Sequence, residues 1–281
     1  MHMIAAPQTT SVELAELVAG TIKKRRGIRV QSVVLGLGFP IILLLIWEMA
    51  ARWGLIDRRF FPGPSTIAAS IVKFLGNPGG REILAGHVLA TLRRIAIGFS
   101  LGATCGVAIG VIMGLHAPTR AAVAPLLYSI FPLPKIAIYP LMIIIFGLGD
   151  ASSAALVTLG VFFMTSINTF SGVRYTNGIY HDVSRAFRFP RTTRWFRVFI
   201  PAAMPSIITG LRLGLGQALV LVISAEFVSA DEGVGRFIWD SWQVLDIARM
   251  FMGLAVVLVF AGFAALLGNI AERRLIPWQR R

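Results

Sequence analysis

Six long apolar stretches punctuate this sequence: Val33–Ala51, Ile95–Leu115, Ala121–Gly149, Ala151–Val173, Val198–Ala225 and Met250–Ala271. A bilayer core about 30 Å thick is crossed by a helix of about 20 apolar residues. In hydrocarbon every backbone N–H and C=O needs a partner within the protein, which helices and closed barrels alone provide. The pattern predicts an all-α polytopic membrane protein with about six transmembrane helices. The third stretch is interrupted by Pro125, Pro132, Pro134, Lys135 and Pro140, so it reads as one kinked helix or two half-spans and is counted once. The first follows Lys23, Lys24, Arg25 and Arg26 as a signal peptide would. It is longer than a signal core and holds Pro40 and Trp47-Glu48, which makes it an uncleaved first helix.

Composition agrees with this class. Of 281 residues 56% are hydrophobic and 14% charged, with a mean hydropathy of +0.75, where soluble domains carry about 25% charged residues. A formal net charge of +14 on a soluble chain would point to nucleic acid. Here the basic residues lie between apolar spans, where they set orientation. The predicted organisation is a cytoplasmic tail over 1–32, a membrane domain over 33–271 and a cytoplasmic tail over 272–281. Lys23–Arg29, Arg120, the arginine-rich stretch and Arg273, Arg274, Arg280 and Arg281 then fall inside. The loop from Arg52 to Arg94 dissents, because it would put Arg58, Arg59, Lys73, Arg81, Arg93 and Arg94 outside. Its FPGPSTI start and the amphipathic run that follows read as an interfacial helix. Cys105, the one cysteine, lies in an apolar run, which excludes disulfides within the chain and predicts a packing role.

Gly98, Gly102, Gly106, Gly110 and Gly114 recur every fourth residue of the second stretch, and Gly210 and Gly214 repeat the spacing in the fifth. Small residues at this interval let helix backbones approach in lipid. The ladder serves packing within one bundle or, as the sharper alternative, a subunit interface.

Several chemistries are missing. No GxxxxGK[ST] loop or HExxH pair occurs, and such motifs underlie phosphate and zinc chemistry. No catalytic residue or metal site is predicted. Lys135 and Arg212 are basic residues well inside spans. With Gln217 they are candidates for a translocation path, although the stronger reading places Lys135 at a broken helix and has Arg212 snorkel or hold a neighbouring carbonyl.

Arg185, Arg188, Arg191, Arg194 and Arg197 fall every third residue between the fourth and fifth stretches. A voltage sensor repeats arginine within a spanning helix. Here Pro190 interrupts the run, and steps of three rotate about 60° backwards per step round a helix. A nucleic-acid arm does not suit a loop pinned at both ends in the membrane. Anchoring to anionic lipid and docking to a cytoplasmic partner remain. Gly178–Phe187 can form a short helix capped by Thr176 or Asn177, with Ile179, Val183, Ala186 and Phe187 on one face. A turn at Arg188-Phe189 follows, and Pro190 suits the first position of a second short helix. Phe187, Phe189, Trp195 and Phe196 among arginines favour docking, since both residue types anchor protein interfaces.

This stretch resembles the coupling loop of binding-protein-dependent ABC importer permeases, EAA, three residues, G, nine residues, I-x-L-P. With the last proline on Pro201, the EAA positions fall on Asp182, Val183 and Ser184, and the glycine position on Arg188. The sequences H-x3-TLRR-x3-GF from His87, P-x6-P-x7-P from Pro125, IPAAMPSIITGLRLGLG from Ile200 and AEF followed by GVG from Ala225 are similar to the sulfonate, taurine and nitrate branch of that family. The resemblance implies the type I ABC importer permease core, with a coupling loop over 174–200 that includes Arg185, Phe187, Phe189 and Pro190. It further implies a likeness to proteins that work as pairs, here a homodimer, in the bacterial cytoplasmic (inner) membrane with both termini inside. The expected partners are two cytoplasmic ATPase subunits holding ATP and Mg, a solute-binding protein and the lipid bilayer. No cofactor is expected on this chain and no nucleic acid. The expected cargo is a small anion such as an organosulfonate, taurine or nitrate. An ion-gradient carrier, the alternative, would need deep carboxylates and often inverted repeats, which the sequence lacks. Arginine at the family's glycine position is expected to take a left-handed turn at a cost of about 1 kcal/mol or to force another geometry.

Overall fold

The computed structural model describes residues 36, 38–176, 180, 184 and 186–280, and among these the regular structure is all helical, with no strand. Helix α1 covers residues 38–52, α2 is Pro64–Gly76, α3 Pro78–Leu115, α4 Ala117–Ile130, α5 Tyr139–Phe146 and α6 Asp150–Arg174. Helix α7 is the continuous Arg191–Ser229, α8 is Val234–Gln243 and α9 Ile247–Leu275. Four of these, α3, α6, α7 and α9, are long and apolar enough to cross a membrane. The pair α4 and α5 makes a fifth span if taken together, bent by 94°. The sixth expected span, Val33–Ala51, lies partly outside the described residues.

The 94° bend has a local cause. Phe131 still ends α4 in helical conformation, but Pro134 is extended at ψ 106 before a 3-10 turn, Lys135–Ile138. Pro132 and Pro134 offer no N–H to the α4 carbonyls. The Lys135 ammonium takes over that role. It donates to the Phe131 carbonyl and lies over the rings of Phe131 at 4.5 Å and Phe163 at 5.6 Å.

Packing divides the chain into two units, Met1–Ala68 and Ala69–Arg281. In the first, α1 and the start of α2 are joined by Glu48. Its carboxylate accepts from the Ser65 N–H at 2.9 Å and the Ser65 hydroxyl at 2.7 Å and pairs with Arg52 at 2.7 Å. Arg58 donates to the carbonyls of Ala51 and Arg52, which end α1. One basic residue of the dissenting loop, Arg52, is therefore paired with a carboxylate.

In the second unit α6 is the central rod, with α3 parallel and α7 antiparallel to it on adjoining faces. The glycine ladder of α3 faces α6 in constant register. A Cβ on Gly98 would lie 2.6 Å from Val157, one on Gly106 2.9 Å from Thr165 and one on Gly114 2.6 Å from the Cβ of Val173. Gly210 and Gly214 of α7 meet Asn168 and Thr165 of the same α6. The ladders thus pack one chain upon itself, and small residues let the backbones come this close. Leu156, Val157 and Val161 of α6 are fully buried with Ala218, Val222 and Ala225 of α7. Cys105 departs from expectation: it is exposed.

Candidate functional site

The segment before α7 was the strongest site in the sequence, and part of it is described. Asp182, Val183 and Arg185 lie outside the described residues. Ser184 is buried, and its carbonyl accepts the Phe189 N–H at 3.2 Å. That bond closes a turn in which Arg188 has φ +47, the left-handed region that glycine enters freely and arginine does not. The turn brings Phe187 and Phe189 into a stack with centroids 5.8 Å apart and planes 18° apart. Phe187 is 71% exposed. Arg188→Gly should relieve the strain and raise stability by about 1 kcal/mol, read as a higher midpoint of thermal unfolding in detergent.

Two details differ from expectation. Pro190 is the cap residue outside the helix, extended at ψ 155, and not its first turn. No separate second helix forms, because Arg191–Thr193 runs through a π-helical turn, Arg194–Phe199, straight into the spanning helix. The Ile200 N–H reaches back to the Trp195 carbonyl. Pro201, next in line, has no N–H to bond the Arg197 carbonyl, and the wider turn accommodates the gap.

The candidate path residues are split. Arg212 and Gln217 line one cleft of about 770 Å³ between α6, α7 and α9, together with Met164, Gly216 and Ser224. Arg212 faces Glu272 of α9 at 3.4 Å. Lys135 stands apart, engaged in capping α4. Thr165 and Ser166 are buried in helix contacts, and the Asn168 amide donates to the Met164 carbonyl at 2.8 Å.

Sequence reasoning missed a second constellation, at the opposite end of the bundle. The Arg94 guanidinium of α3 is 3% exposed. Its Nε donates to Asp150 Oδ1 at 2.6 Å, and its Nη1 to Glu226 Oε1 at 2.7 Å and the Glu232 carbonyl at 2.6 Å. Arg93 also pairs with Asp150. Glu226, fully buried at the end of α7, accepts from the Thr91 hydroxyl at 2.8 Å and the Gly235 N–H at 2.8 Å. Thr91 accepts the Val234 N–H at 2.8 Å, and His87 Nδ1 accepts the Gly233 N–H at 2.9 Å. One clasp therefore ties α3, α6, α7 and the start of α8. It also explains both glycines of GVG. A Cβ on Gly233 would stand 2.3 Å from Glu226 Cδ, and one on Gly235 2.6 Å from the Ile223 carbonyl. The signal in the sequence was two basic residues and two carboxylates at span ends.

Apolar spanning helices clamped at one end, an aromatic turn at the other and a cleft along the bundle describe a polytopic membrane protein. The chain belongs to the family described as binding-protein-dependent transport system inner membrane component, whose profile matches residues 106–278. It is thus a permease subunit of the ABC importer kind. It is 30% identical to the putative aliphatic sulfonates transport permease protein SsuC of Bacillus subtilis (strain 168), over 93% of each chain. It is 29% identical to the taurine transport system permease protein TauC of Escherichia coli (strain K12), over 88% of this chain and 90% of that one. The nitrate import permease protein NrtB of Synechococcus elongatus is 25% identical over 85% and 86%. Its fold is shared with a chain from the MetNI methionine ABC transporter in inward-facing conformations, with a TM-score of 0.63 and 16% identity, over 71% of this chain and 99% of that one.

Proposed function

We propose that this permease pairs with a second copy of itself and is driven by two cytoplasmic ATPase subunits, each gripping the segment over 174–200. The observation that carries the reading is the exposed Phe187–Phe189 stack, held outward by a strained arginine. Strained turns persist where the surrounding structure or a partner holds them, and exposed aromatics beside arginine anchor interfaces. In this reading both termini face the cytoplasm, in the inner membrane, and a solute-binding protein delivers cargo to the opposite face. ATP and Mg act on the partner subunits and must favour one conformation over the other for transport to follow. The cargo is a small oxyanion or organosulfonate, in keeping with the sulfonate, taurine and nitrate named for the relatives. Arg212 and Gln217 lie on its path along their shared cleft.

The reading is tested by Phe187→Ala with Phe189→Ala in the assembled complex. Removing two anchors of this type should lower ATP-driven uptake by about tenfold or more and release the ATPase during purification. Wild-type uptake with the ATPase still bound would refute the docking assignment.

A further inference from the structure

The clasp has a use that the docking segment alone does not supply. Helix α7 is 39 residues long, about 58 Å at 1.5 Å per residue. Its first turns belong to the segment proposed to be gripped by the motor, and its last turn carries Glu226. Along most of its length α7 meets α6 through small residues: Gly172 against Ser206, Gly210 against Asn168, Gly214 against Thr165 and Gly160 against Leu221. Small residues of this kind let the two backbones approach closely. At the docking end, among the described residues, no ion pair joins α3, α6 and α7. At the far end they are joined by a buried guanidinium that holds two carboxylates and a carbonyl.

We infer that Arg94 is a positioning residue for transport. Through Glu226, Asp150 and the Glu232 carbonyl it makes the far end of α7 and the start of α8 travel with α3 and α6. A displacement delivered by the ATPase then reaches the external mouth as a swing of one body, and is not lost as sliding of α7 along α6. The inference rests on the importer reading above, which supplies the motor and the direction. Packed bodies with a fixed junction transmit motion in this way. Helix α8 is the element carried: its Phe237 and Ile238 are buried, and Ile238 packs against Gly253 of α9, while Trp242 and Gln243 are exposed.

The test uses the complete complex in proteoliposomes, in a Cys105→Ser background with a spin label at Q243C. ATP hydrolysis, ATPase retention and the ATP-driven change in the distance between the two labels are measured together. The informative variant is Arg94→Met with Glu226→Met, which removes both charges and leaves none of the pair buried alone, while Asp150 keeps Arg93. Hydrolysis should persist in this variant, the label shift should vanish, and uptake per ATP should fall about tenfold, as a lost coupling between sites does. A merely structural pair would lower the amount of complex without changing uptake per ATP or the shift. Should the double variant fail to assemble, Thr91→Val keeps every charge and removes only the hydroxyl bridge from Glu226 to Val234, and it should give a reduced shift. A full wild-type shift in either variant overturns the inference. Absence of a bound, hydrolysing ATPase in the wild type overturns the importer reading instead.

Discussion

Gly102→Leu should remove the folded permease from the membrane. A Cβ at this position would lie 2.5 Å from the Thr158 carbonyl oxygen and 2.8 Å from Val161 Cβ. The first of these is helix backbone and cannot rotate away, so α3 and α6 must separate along their whole contact. Overpacking by a methylene or two costs about 1–3 kcal/mol, and a leucine against backbone costs more. A folded protein holds only about 5–15 kcal/mol in reserve. Membrane abundance and thermal unfolding in detergent read the effect. Gly86→Ala and Gly262→Ala are the controls, since nothing lies within 4 Å of either position. There alanine should gain about 0.5–1 kcal/mol through helix propensity. Equal stability of Gly102→Leu and the wild type would mean that α3 does not lie against α6 as described.

Gly233→Ala should be almost as damaging, for a different reason. Gly233 has φ +135, a region that is essentially reserved to glycine. The added methyl would press on the Glu226 carboxylate from 2.3 Å. Backbone strain adds about 1–3 kcal/mol, and a carboxylate displaced from Arg94 loses a buried pair, whose breaking costs about 3–5 kcal/mol. Gly54 provides the comparison. It also has a positive φ, +72, but open space around it, so Gly54→Ala should cost about 1–2 kcal/mol from the backbone alone. Matching losses at the two positions, measured as shifts in unfolding temperature, would show that Glu226 contributes nothing to the junction.

The spans were legible because bilayer thickness leaves its mark on every long apolar run. The ladder was legible as a face, since its spacing is local, but its partner was not. Nothing in Gly98–Gly114 names α6, although Val157, Val161, Thr165, Thr169 and Val173 repeat at the same interval. The clasp was out of reach for a stronger reason. Arg94 lies 132 residues from Glu226, and only the fold brings them together. The TLRR and AEF sequences marked the two halves without saying that they meet. Lys135 shows the reverse case: its charge deep in an apolar stretch suggested a path, whereas two nearby prolines leave carbonyls that a cation can cap. At Arg188 the resemblance to the family motif, carried by its spacing, located the left-handed turn, because a backbone position can persist after its preferred residue is gone. Part of the charge of the dissenting loop is paired. Arg52, Arg93 and Arg94 each have a carboxylate, so they contribute little free positive charge to the bias that sets orientation.

The regularity of the α3–α6 contact carries a hazard. Valine and threonine have nearly the same shape, and the hydroxyls of Thr165 and Thr169 have no hydrogen-bond partner among the described residues. Each notch of the ladder therefore looks much like the next. A slip of one notch, four residues or about 6 Å, would set glycine against a near-identical neighbour at little loss of packing. The same slip would tear Arg94 from Asp150 and strand both. The zipper by itself has several near-equivalent closed positions, and the buried charges at its end act as the key that admits one.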